Sequence, residues 1–335
     1  MNLTHKECII KWLQNYRKII HKKVGKPMSL AYAAFNQILI MFFIIVIGAV
    51  CFRLKLIDAE SNKRLADLVL MLVNPFVIFI SYQREFEAEL ARGLLISLLL
   101  ALITHVFAII LASLIIRNKK NPQKAVLERF ATAYSNCGFI GIPLVNGIFG
   151  SEGVFYLTAY MTIFNLSVWT HGAITVSGKR DFRSVVKALL SPSVIATVSG
   201  FIFFILRIIL PKPLHDAINY IGEMNTPMAM MVAGATIAQT DIKKLLTRWR
   251  IYYVAFLKLF LVPVSILSVF SLFDIPRIVL LTIVLAAACP TAATINLFAL
   301  RFDKDYRYAS EMFAVTTILC SLTIPLVMLI SNFIL

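Results

Sequence analysis

The feature that most constrains this chain is a succession of ten apolar runs, each close to the roughly 20 residues a helix needs to cross a bilayer. They fall near residues 32–52, 65–82, 91–116, 125–149, 153–176, 185–210, 216–238, 250–272, 276–300 and 307–333. Hydrocarbon supplies no hydrogen-bonding partner, so a backbone that spans it must satisfy its own N–H and C=O groups, as a helix does. The pattern predicts an all-α polytopic membrane protein of ten transmembrane helices. Composition agrees: 59% of the 335 residues are hydrophobic and 15% are charged, too few charges to coat a soluble fold of this size.

The net charge of +16 is dispersed in short clusters between the runs. Nucleic acid, which calls for one basic patch, is therefore not an expected partner. Lys and Arg gather in alternate loops, such as Arg53, Lys55, Lys63 and Arg64, then Lys179, Arg180, Arg183 and Lys187. The remaining loops hold few. That bias predicts cytoplasmic odd-numbered loops and both ends of the bundle facing outside, in a plasma (bacterial inner) membrane. Residues 1–27 read as a basic amphipathic extension lying on a membrane surface, with Ile9, Leu13, Tyr16 and Ile20 on one face. The alternative is a translational start at Met28. Cys8, Cys51, Cys137, Cys289 and Cys320 are scattered without a C-x-x-C pair, so neither a metal site nor a disulfide framework is expected. No Ser/His/Asp arrangement, H-E-x-x-H or carboxylate pair falls at a plausible depth. No catalytic residue is expected, and an enzyme is not.

One span is built to break. Residues 135–150 read S-N-C-G-F-I-G-I-P-L-V-N-G-I-F-G, with Gly138, Gly141, Pro143, Gly147 and Gly150 inside an apolar run. Proline removes a donor and glycine removes the side chain that stiffens a helix. Such a break survives in a membrane only when buried in protein or lining a cavity. The second half repeats the pattern. Asn74-Pro75 is matched by Asn225-Thr226-Pro227, and Gly141-Ile142-Pro143 by Cys289-Pro290, with Asn296 just beyond. Five spans per half is odd, so the second copy is inserted upside down. Residues 28–178 are then the first five-helix repeat and 183–335 the second. Inverted repeats with interrupted helices in matching positions point to a transporter whose substrate site lies at their interface.

Several strings carry a family resemblance: Tyr134 to Leu144, followed by Phe149-Gly150-x-Glu152-Gly153; Thr226-Pro227-Met228-Ala229; Lys258 with Pro263; Cys289-Pro290-Thr291; and Thr323-Ile324-Pro325. Over roughly 28–335 the chain resembles the auxin efflux carrier family in its bacterial branch. The resemblance implies two inverted five-helix repeats, related in architecture to bile-acid/sodium symporters, with helices 4 and 9 unwound and crossing at the proline breaks. It also implies carriage of a small carboxylate, malonate- or malate-like in bacterial members and auxin in plants. Only Gly178–Arg183 joins the halves here, without the long central loop of the plant exporters, which sets auxin itself in doubt.

The residue types suit an organic anion. Broken helices expose backbone N–H groups and the positive end of a dipole without placing a full charge in the membrane. The expected substrate-binding residues are Asn136, Gly138, Gly141, Pro143, Pro290, Thr291 and Asn296. Asn74 is read as a cap on the backbone freed by Pro75. Ionisable residues within spans are costly and hence functional candidates. They are His105, His171 and Lys258, with Glu223 and Glu311 near span ends. His171 and Lys258 are the coupling candidates, with H+ or Na+ as the ion; no cofactor or metal is expected. A homodimer is left open. The competing function is a membrane sensor that binds the same ligand without moving it.

Overall fold

The computed structural model describes residues 27–117, 121–178, 190–240 and 248–335, together with Val186. The basic extension expected over residues 1–27, apart from Pro27, lies outside these residues, as does the junction near 179–183. In chain order the helices are α1 (Pro27–Arg53), α2 (Ala59–Ser81), α3 (Ala88–Ile115), α4 (Pro122–Ala133), α5 (Cys137–Ser177) and α6 (Pro192–Ile205). Then come α7 (Lys212–Glu223), α8 (Asn225–Ala238), α9 (Trp249–Phe270), α10 (Arg277–Ala288), α11 (Thr294–Arg301) and α12 (Tyr306–Ile334). Among the described residues there is no β-strand, and the all-α class read from the apolar runs holds. Six helices among the described residues, α1, α2, α3, α5, α9 and α12, are long and apolar enough to cross a membrane.

Helix starts follow local chemistry. Asp58 accepts from the Ser61 N–H at 2.7 Å, Asn121 from Lys124 at 3.1 Å and Asp305 from Tyr308 at 2.9 Å, each satisfying a donor that the first turn leaves open. The outer helices keep large apolar side chains exposed, including Phe43 and Ile47 on α1 and Leu95 and Leu99 on α3. In water such a surface would be a liability; against lipid it is the required one.

Proline does not act as the sequence suggests. Pro143 follows a single π-helical turn, Cys137–Gly141, and the ladder continues through it into Ile142–Ser167. The Ile142 N–H reaches back five residues to the Cys137 carbonyl, which widens the turn just ahead of the residue that has no N–H. Pro75 and Pro263 follow the π-turns Val69–Val73 and Leu257–Leu261 in the same way. The expectation that the chain breaks at Pro143 is therefore corrected: a wider turn absorbs the missing donor. The ladder opens instead about two turns earlier, between α4 and α5, and again at Gly150, which bends α5 at φ 65, ψ −157, a conformation essentially confined to glycine.

Two kinds of contact hold the bundle. Helices α1 and α8 touch backbone to backbone: a Cβ on Gly48 would lie 2.3 Å from the Met231 carbonyl oxygen, and one on Gly234 would lie 1.9 Å from that of Ile45. Elsewhere, α4, α9 and α12 are joined by ion pairs. The fully buried Glu128 accepts from Arg250 Nε at 2.8 Å, Arg250 Nη2 at 2.5 Å and Tyr308 Oη at 2.9 Å. Arg248 pairs with the buried Glu311 at 2.6 Å.

Candidate functional site

Two interruptions of the helical ladder meet. Between α4 and α5, Tyr134 is extended (φ −113, ψ 126) and Asn136 is non-helical (φ −78, ψ 59). Between α10 and α11, Cys289 turns to φ −59, ψ 151 and Pro290 follows. The two stretches lie antiparallel, with Ser135 opposite Thr291. The Asn136 N–H donates to the Pro290 carbonyl at 2.7 Å, and that of Ala292 to the Tyr134 carbonyl at 3.0 Å. Each break thus satisfies backbone groups that the other leaves open.

Lys258 sits against this bridge, 1% exposed. Its Nζ donates to Ser135 Oγ at 2.5 Å and to the Ala287 carbonyl at 3.1 Å. Ser135 Oγ also lies 3.2 Å from Tyr160 Oη. The Tyr160 ring packs on His105, centroids 4.6 Å apart. His105 Nδ1 lies 2.8 Å from the Ala101 carbonyl, which can only accept, so that nitrogen carries a proton. Its Nε2 is buried with no partner among the described residues. No carboxylate pairs with Lys258 among those residues either, and a buried ammonium without a counter-charge is costly.

The residues singled out from the sequence fare differently. Asn136 caps α5, its Oδ1 accepting from the Phe139 N–H at 3.4 Å, while its amide nitrogen has no hydrogen-bond partner among the described residues. Gly138 is half-buried in the next turn. Gly141 lies between two thiols: a Cβ there would sit 3.4 Å from Cys137 Cβ and 3.5 Å from Cys289 Sγ. The Pro143 carbonyl accepts from Gln37 Nε2 at 3.0 Å, which ties α5 to α1. Thr291 is fully engaged, its N–H on Thr316 Oγ1 at 3.2 Å and its hydroxyl on the Ala131 carbonyl at 3.0 Å. Asn296 accepts from Ser310 Oγ at 3.2 Å, joining α11 to α12.

His171 Nδ1 lies 2.8 Å from Tyr134 Oη, whose residue forms one edge of the first break. That hydroxyl is also 3.0 Å from the Ser167 carbonyl. If its proton goes to the carbonyl, His171 Nδ1 must be the donor in the other bond. The reading of Asn74 as a cap is corrected: its Oδ1 accepts from Asn225 Nδ2, in the matching motif of the other half.

Sequence reasoning missed Ser135, Tyr160 and Glu128. Ser135 stood beside Asn136 in the same string, and a polar residue next to a break was the available signal. Tyr160 gave none, since a tyrosine in an apolar run is ordinarily packing. Glu128 is an acid within an expected span, the criterion that picked out His105 and Lys258.

Two cavities lie nearby. One, of about 560 Å³, opens at the surface beside the 82–90 and 274–278 segments. It carries Glu85, Glu87, Glu89, Glu152 and Asp274 against Arg84 and Arg92, and none of the break residues lines it. The sign is wrong for an anion site. The other, about 40 Å³ and apolar, lies between α1, α5, α8 and α12 beside Ile140 and Leu144. It holds about a water's volume and no organic acid, and none of the break residues lines it.

A family model described as membrane transport protein matches residues 33–328. A Rhizobium meliloti (strain 1021) protein provisionally named a malonate transporter is 25% identical over 299 residues, covering 86% of this chain and 92% of the relative. An uncharacterized transporter of Methanothermobacter thermautotrophicus is 25% identical over 295 residues, covering 87% and 96%.

Proposed function

We propose that this chain, which belongs to the membrane transport protein family, the auxin efflux carriers, and so is a transporter rather than an enzyme, carries a small organic anion by alternating access around the two breaks. Lys258 is the observation that carries the reading. An ammonium buried without an acid, hydrogen-bonded to Ser135 beside the meeting point of two unwound segments, is a charge that a bound carboxylate would complete. The free amide nitrogen of Asn136 is a further donor at the same place.

In this reading the chain is two inverted five-helix repeats, and α4–α5 and α10–α11 are the matched broken helices 4 and 9. The site at the breaks opens to one side at a time. The bundle ends face outward, following the loop charges, in the plasma membrane. Malonate is the first substrate to test, because a relative covering most of this chain bears that name. Either a proton or sodium drives the cycle. The contact of His171 with Tyr134 makes it the first proton candidate, since histidine titrates near neutrality.

The test is uptake by proteoliposomes of labelled malonate, malate and monocarboxylates, with sodium and proton gradients imposed separately. Accumulation against a gradient is expected. Saturable binding without accumulation of any of these acids would make the protein a sensor instead.

A further inference from the structure

The two asparagines that precede prolines in the two halves are brought together, and their pairing leaves something over. Asn225 Nδ2 donates to Asn74 Oδ1. Asn74 is 1% and Asn225 3% exposed, and both Asn74 Nδ2 and Asn225 Oδ1 are buried with no hydrogen-bond partner among the described residues. Reversing both amides leaves the same inventory, one free nitrogen and one free oxygen. Burying such groups unpaired costs about 1–3 kcal/mol each.

The free nitrogen faces the first break. A Cβ on Gly138 would come within 3.3 Å of Asn74 Nδ2 and 3.8 Å of Met161 Cε. Any side chain at Gly138 would thus press on that nitrogen. Gly138 itself is half-buried. It stands three residues after Ser135, the partner of Lys258. At 1.5 Å per residue in a helix and about 3.3 Å when extended, that separation is roughly 5–10 Å. A three- or four-carbon diacid spans a comparable length.

Resting on the carrier reading above, we propose that the Asn74–Asn225 pair is a subsite for a protonated carboxyl group, so that a short dicarboxylic acid is taken as its monoanion. A neutral carboxyl carries one O–H donor and one carbonyl acceptor, the complement of one free amide oxygen and one free amide nitrogen. A carboxylate has acceptors alone and would set a charged oxygen against Asn225 Oδ1. An ammonium has donors alone and would leave Asn74 Nδ2 unanswered. The ionised end of the same molecule is then the one that lies toward Lys258. Carrying one charge rather than two also lowers the cost of desolvating the substrate.

The test uses three labelled compounds and the full-length protein in proteoliposomes: malonate, its monoamide and its monomethyl ester. The monoamide keeps a donor and an acceptor at every pH, whereas the ester has no donor. Malonate uptake should rise more steeply than monoamide uptake as pH falls. The ester should be taken up at least tenfold less well than the monoamide. In Asn74→Leu/Asn225→Leu, which removes both partners together and so spares the fold, the preference for the monoamide over the ester should vanish. Equal uptake of monoamide and ester by the parent protein overturns the subsite, and needs no variant. A preference retained in the double variant also overturns it and leaves the amides to an internal water. In both cases continued malonate uptake keeps the carrier standing, whereas no uptake of any compound removes carrier and subsite together.

Discussion

Helix α9 contributes two cations to the neighbourhood of α4, Arg250 and, eight residues on, Lys258. They lie about 12 Å apart along the helix. Arg250 meets Glu128, which Tyr308 also serves, so that every charge there has an opposite. Lys258 meets a hydroxyl and a carbonyl, which accept its protons and leave its charge unopposed. The same helix therefore carries a finished ion pair and an unfinished one. A buried ion pair is costly to break, while an unopposed buried charge is costly to keep. The first holds the fold, and the second, on the function proposed above, is completed by a partner that comes and goes.

That contrast can be broken most decisively at Glu128. Glu128→Ala strands the Arg250 guanidinium and should cost about 3–5 kcal/mol, read as a large drop in melting temperature of the purified protein. Adding Arg250→Met should restore much of it, because the remaining charge goes too. A single variant that melts like the parent would mean that the pair braces nothing.

Lys258→Met is the opposite case. Removing an unopposed charge and keeping the volume should leave melting unchanged or raise it, while uptake falls by tenfold or more. That loss corresponds to about 1.5–3 kcal/mol for a hydrogen bond to a charged group. Loss of stability together with retained uptake would reverse the assignment.

Asn136→Ala lies between the two. It removes a helix cap, costing about 1 kcal/mol of stability, and also removes the free amide donor, so binding should weaken by roughly ten- to a hundredfold. A variant that binds normally and melts slightly lower would make Asn136 a cap alone. The smallest effect is expected at His171→Gln. It should leave melting within about 0.5 kcal/mol while flattening the pH dependence of monoamide uptake, since glutamine keeps a donor and an acceptor and cannot titrate. An unchanged pH profile would take His171 out of coupling.

The sequence made the class of fold plain, because apolar runs of bilayer length leave few alternatives. It also pointed to Asn136, Pro290 and Lys258, whose chemistry is out of place in an apolar run. It placed the first break too late. Apolar periodicity does not distinguish a π-turn from an α-turn, and a π-turn is what lets Pro143 sit in a continuous helix. Thr291 was counted toward the ligand, but its polarity is consumed by Ala131 and Thr316, in segments far off in sequence. Asn74 and Asn225 could be matched as motifs, yet nothing in the sequence shows that two side chains 151 residues apart meet.

The glycines where α1 meets α8 have a mechanical corollary. With Gly234 placing a missing Cβ 1.9 Å from the Ile45 oxygen, and Gly48 likewise tight on Met231, the two backbones interlock with no side chain between them to act as a bearing. Sliding either helix by a residue would drive a neighbouring Cβ into a carbonyl. That seam is a weld, and whatever swings during a transport cycle must pivot around it.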